Sequence, residues 1–343
     1  MTQFIRKLFI GTVFIGISQF AIGASFDCSL STLNATEQFI CKNPEISELD
    51  SRMATIYTEN YKKLSPTNRV AYLNGQRDWL KYWPQSCKRS YNPEQDASIF
   101  LACAKREYEN RLELLPVRKL NNQWLVFNVA RYSVTKADPT SVPDWVKTVD
   151  HSLVYPKIET QNLSATELQN ANQLNQWIGS VIKKLGLKNR ISLNEDSMDS
   201  FLNVSIDDVS SDIFRVQTRY YFYAFGAHGN SVFNNLHYLL SKNRELKETD
   251  IFQGAWKGGT SQKIYRNLKT EFAEMVLVDS AKPVAESIGR VQSWKLKKDG
   301  MVFEFNPYEL TAYAAGAPEV KIDWNDFSSY LTDYAKSQIK EMY

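Results

Sequence analysis

Few residues in this chain combine a reactive side chain with a backbone that could bring it against a partner. Only three histidines occur, at positions 151, 228 and 237. His228 lies in the run Gly226-Ala227-His228-Gly229-Asn230-Ser231. There the glycines would let the backbone approach a ligand and the imidazole could hydrogen-bond to it. The same run also suits a plain turn, with the glycines supplying geometry and His228 and Asn230 satisfying backbone groups locally. A second stretch carries Tyr308, Glu309, Tyr313 and Gly316. Tyrosines on a strand-and-loop surface suit recognition, although buried tyrosines that only fill a core read the same way. Glu304 and Glu309 are close in sequence, yet glycosidic acid–base work requires two carboxylates across a substrate cleft.

Motifs for other chemistries do not occur. No histidine pair forms HExxH, and no cysteine falls near a histidine to complete a zinc set. GxSxG is missing, and Gly258-Gly259 lacks the GK[ST] ending of a phosphate loop. The expectation is a non-enzymatic binding protein with no metal and no cofactor.

All four cysteines, Cys28, Cys41, Cys87 and Cys103, lie in the first third of the chain. Their gaps are too long for a CxxC zinc pair, so two disulfides are expected. Three pairings are possible; Cys28–Cys41 with Cys87–Cys103 is favoured because each pair brackets one local turn. An oxidising compartment agrees with the N-terminus. Arg6 and Lys7 precede a mostly apolar run from Leu8 to about Gly23, with small residues at Ala24-Ser25. This reads as a signal peptide cut after Ala24. The run is too short and too polar for a membrane anchor, since it includes Thr12, Ser18 and Gln19. Cleavage lowers the net charge from +3 to about +1. That balance gives no basic footprint for nucleic acid, and no later stretch is apolar enough to span a bilayer. The mature protein is expected to be periplasmic or secreted.

These residues must be positioned by elements of two kinds. Within a first domain of residues 25–117, the pattern is helical from Thr36 to Leu115. Thr36 is expected to cap a short helix carrying Cys41. Ile46, Leu49, Met53, Ile56, Tyr57 and Leu64 follow at spacings of three and four after Asn43-Pro44, which predicts one buried stripe. Another helix with Val70, Leu73, Trp79 and Leu80 is expected to fade at Pro84, leaving Cys87 in a loop to Pro93. A third is expected from about Gln95 to Leu115, ended by Pro116. Three landmarks carry a resemblance here: Phe26-Asp27-Cys28, Thr36 to Cys41, and Pro44-Glu45-Ile46-Ser47-Glu48-Leu49-Asp50. With Gln76-Arg77-Asp78-Trp79-Leu80, Cys87, Cys103, Tyr108 and Arg111, the segment 26–115 resembles the LprI-type lysozyme-inhibitor N-terminal domain.

Past Leu115-Pro116 the periodicity changes to short alternating runs. Strands are expected at 124–129, 153–158, 200–207, 213–225 and 230–240, with a helix from about Ala165 to Lys184 capped by Ser164. A second helix is expected at about 261–276, a hairpin around Asp299-Gly300, and a terminal helix at 324–334. The segment 118–343 therefore reads as an α+β domain with an antiparallel sheet. The landmarks here are Tyr155-Pro156-Lys157-Ile158, then Phe225 to Ser231, then Leu246, Asp250, Ile251 and Phe252. The run Phe303-Glu304-Phe305-Asn306-Pro307-Tyr308-Glu309-Leu310 continues to Tyr313-Ala314-Ala315-Gly316 and Glu319-Val320. Together they make residues 120–340 similar to the extracellular domain of RsiV-type anti-sigma factors, in which it is a lysozyme receptor. The transmembrane and sigma-binding segments of such receptors are missing.

The whole is expected to be multi-domain, a disulfide-linked all-α bundle followed by the α+β domain. Both resemblances imply lysozyme as the partner, with Gly226–Ser231 and Tyr308–Gly316 as the contacting segments. The alternative is an envelope protein that binds peptidoglycan fragments, with the same aromatic residues stacking on sugar rings.

Overall fold

The computed structural model describes residues 24–89, 97–185 and 197–342. The leader expected up to Ala24 lies outside these residues except for Ala24 itself, as do Pro93 and Gln95.

Helix α1 (Ala35–Lys42) begins at Asn34, whose side chain accepts from the Thr36 and Glu37 amides while Glu37 accepts from the Asn34 amide. Asn34 rather than Thr36 is the cap, because this reciprocal pair satisfies more of the first-turn amides. Helix α2 (Pro44–Lys62) starts on proline, which lacks the amide that a first helical position would leave unpaired. Helix α3 (Pro66–Arg89) continues through Pro84 instead of fading there, so Cys87 is helical. Trp79, Trp83 and Cys87 follow at four-residue spacing and are almost wholly buried. Their burial offsets the interior hydrogen bond that Pro84 removes. Val70 and Leu80 point outward at 58% and 45% exposure. The core of this module is instead aromatic, with Tyr72, Trp79, Trp83 and Tyr108 fully enclosed. Helix α4 (Ala97–Leu114) packs beside it.

The disulfides are Cys28–Cys41 and Cys87–Cys103, closing loops of 13 and 16 residues. The first ties the leading segment to α1 and the second ties α3 to α4. Loops of that size are worth about 3 kcal/mol each through the unfolded chain.

A seven-stranded sheet follows, with strand order equal to chain order. Its members are β1 (Arg118–Leu120), β2 (Trp124–Lys136), β3 (Thr148–Ile158), β4 (Asp199–Asp208), β5 (Ile213–Tyr223), β6 (Asn230–Leu239) and β7 (Arg244–Glu245). All neighbours are antiparallel except β3 and β4, which pair in parallel. The sheet is antiparallel as expected, apart from this one parallel pair. Helix α5 (Ala165–Lys184), capped by Ser164 as expected, lies between those strands and supplies the crossover that a parallel connection requires. Its Leu174, Ile178 and Val181 bury against Leu202, Val204 and Val216, covering one face of the sheet.

The C-terminal part contains α6 (Glu248–Ile251), α7 (Lys257–Phe272) and α8 (Ala281–Ile288). A small sheet of β8 (Trp294–Lys297), β9 (Gly300–Glu304) and β10 (Glu319–Asp323) has the order β10-β9-β8. The β8–β9 hairpin turns at Lys298-Asp299 with Lys297 opposite Gly300. Trp256, Trp294, Phe252 and Phe327 interlock in its core. The terminal helix is displaced from expectation. Trp324–Phe327 form a single 3-10 turn, and α9 (Asp333–Glu341) starts only where the Thr332 hydroxyl accepts from the Ala335 amide.

The face of the large sheet away from α5 has two covers. Phe127 and Val129 of β2 share a core with Trp79 and Trp83, so α3 rests on that strand. Gly75 makes the approach possible, since a Cβ there would lie 2.9 Å from the Ala130 carbonyl oxygen. At the other end the small sheet is fastened to β6, where the Asn235 amide donates to Glu304 at 2.8 Å. Strands β4 and β5, between these covers, keep part of this face open.

Candidate functional site

The β5–β6 hairpin sets the first half of the site. Phe222 pairs with Asn230, and β5 ends at Tyr223, leaving a loop from Ala224 to Gly229. Phe225 takes a left-handed φ of 60° and is buried against Tyr223 and Trp145, at ring-centroid distances of 5.2 and 5.8 Å. The Tyr223 hydroxyl donates to the Gly226 carbonyl at 3.1 Å. Gly229 is enclosed by the Tyr221 ring, and a Cβ there would meet the Tyr221 hydroxyl at 2.1 Å. No larger residue fits without moving that ring.

The second half hangs from Asn306. Its side chain accepts from the Phe233 amide at 2.6 Å and donates to the Phe233 carbonyl at 3.2 Å, clamping the turn after β9 to strand β6. The Asn306 amide donates to Glu309 at 2.9 Å, and Glu309 also pairs with Arg290. This turn holds Tyr308 at a left-handed φ of 67° with its ring 54% exposed. A 3-10 turn, Tyr313–Ala315, then presents Tyr313 and ends at Gly316 with φ 71°.

The two halves meet at His228. Its ring stacks on Tyr313 with centroids 3.9 Å apart and planes 18° off parallel, while Tyr308 lies 6.3 Å away. The Gly229 carbonyl accepts from the Tyr313 hydroxyl at 2.7 Å and from His228 Nδ1 at 3.0 Å. A carbonyl can only accept, so this contact places the proton on Nδ1 and leaves Nε2 an acceptor in the neutral ring. The Tyr308 hydroxyl, 3.2 Å from Nε2, therefore donates to it. The result is an exposed rack of one imidazole and two phenols fixed by backbone.

Of the residues singled out in the sequence, His228, Gly229, Tyr308 and Tyr313 come together. Gly226 and Asn230 shape the hairpin, and Gly316 ends the turn. Ser231 pairs with Tyr221 and shares its face of the sheet. Glu309 is turned inward to Arg290 and the Asn306 amide, so its role is to hold the turn. His151 and His237 are buried away from this surface, and His151 Nδ1 lies 2.7 Å from the Ser200 hydroxyl.

Sequence reading missed the neighbouring cleft. It has a volume of about 590 Å³ and lies between α4 and the open face of β4 and β5. Its floor consists of the cross-strand pairs Asp199/Tyr223, Phe201/Tyr221 and Asn203/Arg219. Alternation along 199–203 and 219–223 carries this signal, because residues two apart on a strand share a face. In its wall, burial pushes the Glu107 carboxyl up to about 7; Arg106 pulls it down and Asp150 adds to the rise. Burial, with Tyr313 and Asp199 nearby, raises Tyr221. Among the described residues no cluster of three or more histidines, cysteines or carboxylates could hold a metal ion, and no helix is long and apolar enough to cross a membrane. The two disulfides fit an oxidising compartment.

Residues 249–325 match the family model described as "Protein of unknown function (DUF3298)". The DUF3298 segment runs from α6 through β10 and so contains Tyr308, Glu309, Tyr313 and Gly316, but not the His228 hairpin. No curated protein matches the chain. Among solved structures it is similar to a DUF3298 family member from Bacteroides fragilis, at 20% identity and TM-score 0.44, over 64% of this chain and 97% of that one. It is also similar to one from Pseudomonas aeruginosa, at 12% identity and TM-score 0.45, over 64% and 96% of the two chains. The DUF3298 description names no activity, and it names neither family resembled in the sequence.

Proposed function

We propose that this protein is an exported, non-catalytic binding protein for lysozyme and protects the cell wall by inhibiting it. The observation that carries this reading is the His228–Tyr313–Tyr308 rack, which stands at the surface on a fixed backbone. Rigid aromatic side chains with a polar tip give contact area at low entropic cost. The Tyr308 hydroxyl can turn from Nε2 to a carboxylate of a partner, which suits a lysozyme cleft whose chemistry depends on two carboxylates. Both sequence resemblances support the same partner. The proximity of Trp145, 67% exposed beside Phe225, extends the apolar surface around the hairpin.

Titration calorimetry of the mature, oxidised protein against c-, g- and i-type lysozymes, paired with a cell-wall lysis assay, tests this. One type is expected to bind tightly and lose lytic activity. Tyr308→Ala and His228→Ala are each expected to weaken that binding at least tenfold, a loss of about 1.4 kcal/mol or more. Native-like circular dichroism would show the variants folded. No binding to any type, or undiminished binding by both folded variants, would remove the reading.

A further inference from the structure

A second recognition surface is built into the open face of the large sheet, separate from the hairpin rack. Three cross-strand pairs lie in register there: Asp199/Tyr223, Phe201/Tyr221 and Asn203/Arg219. The rows continue onto β3, where Ser152 pairs with Phe201 and Val154 with Asn203. The Phe201 and Tyr221 rings sit 6.0 Å apart with planes at 34°, forming one tilted apolar platform. Tyr221 is 36% exposed. Around the platform stand groups with unused hydrogen-bonding capacity. Arg219 lies over the Phe233 ring at 5.2 Å and has no carboxylate partner among the described residues. Asn203 is exposed beside it, and Asn110 and Arg106 project from α4 across the cleft. Glu107 completes the wall, and burial favours its uncharged, hydrogen-bond-donating form.

We infer that this cleft binds a short chain of pyranose sugar rings. A pyranose has an apolar C–H face and a rim of hydroxyls that both donate and accept. The cleft offers the complement of that shape: an aromatic platform below, with guanidinium and amide groups at the side and a carboxyl in the wall. An aliphatic ligand would leave these polar groups unpaired, which costs free energy at each one. A nucleic acid would require a basic groove, whereas Glu107, Glu113, Asp150 and Asp199 line this cleft alongside Arg106 and Arg219. At about 590 Å³ the space suits a di- or trisaccharide, within the ordinary range for small-molecule sites. Tyr221 links this surface to the proposed lysozyme-contacting loop, because its ring packs on Gly229.

The test is calorimetry of the full mature chain with chitotriose, cellotriose and maltotriose. At least one is expected to bind with a Kd in the micromolar to low-millimolar range. Phe201→Ala and Arg219→Ala should each weaken it at least fivefold, with the far-ultraviolet spectrum unchanged. Tyr308→Ala lies on the other surface and should leave sugar binding as it was, so failure of the lysozyme reading and failure of this one are separable. If no sugar binds at millimolar concentration, the inference is overturned. It is equally overturned if binding survives both cleft substitutions, or if Tyr308→Ala rather than Phe201→Ala abolishes it.

Discussion

Single residues here divide by what lies opposite them, and residue type alone does not sort them. Glu309 and Tyr308 are adjacent, yet one faces Arg290 and a backbone amide while the other faces solvent. Sequence reading found both and could not separate them, because the left-handed turn at Tyr308 depends on the Asn306 clamp to a strand some 70 residues earlier. His237 makes the same point from the interior. Burial and then Arg215 push it down to about 3, and both of its ring nitrogens are buried without a hydrogen-bond partner. In the unfolded chain a histidine titrates near 6.5. The unfolded state therefore takes up this proton first, and the associated stability is present above pH ~6.5 and declines as pH falls toward 3. Urea midpoints measured from pH 7 to 4 are expected to drop, with a flatter decline in His237→Leu. Equal slopes in both proteins would show that His237 is not the source. Asp250, held below the usual carboxylate range by Arg244 and Lys242 against its burial, loses its contribution only at pH under about 4.

Elements were legible where a local rule decides them. Ser164 caps α5, Pro44 opens α2, and the Asp299-Gly300 signal marks the β8–β9 hairpin. They were misread where packing overrules the rule. Pro84 does not stop α3, because Trp83 and Cys87 on either side of it are buried and the latter is crosslinked to α4. The parallel β3–β4 pair was invisible for a related reason: alternation fixes which residues share a face but not which strand lies alongside. The α3–β2 contact rests on the missing side chain of Gly75. Gly75→Val is expected to destabilise the protein by about 1–3 kcal/mol, since the overpacked atoms would press on backbone. Denaturant melts would read this as a lower midpoint, and an unchanged midpoint would mean that the helix can shift at little cost.

For the whole molecule, the sheet is the common support. One face carries α5; the other carries the helical module at β2 and the small C-terminal sheet at β6, with a cleft between them. The division into helical and α+β parts was visible in the change of periodicity near Pro116. The cleft was not, because its residues come from separate strands and a helix distant in sequence. Since Phe127 and Val129 belong to the core of the helical module, the two parts should unfold together. Calorimetric melting of the oxidised mature chain is expected to give one cooperative transition, and two well-separated transitions would show the parts to be independent. The central claim concerns the rack built on the hairpin, and hydrogen exchange of the mature chain with and without the tightest-binding lysozyme addresses it most directly. Slowed exchange is expected in residues 224–231 and 306–316, the two segments that meet at His228. A lysozyme footprint lying elsewhere, with these two segments unchanged, would contradict the account.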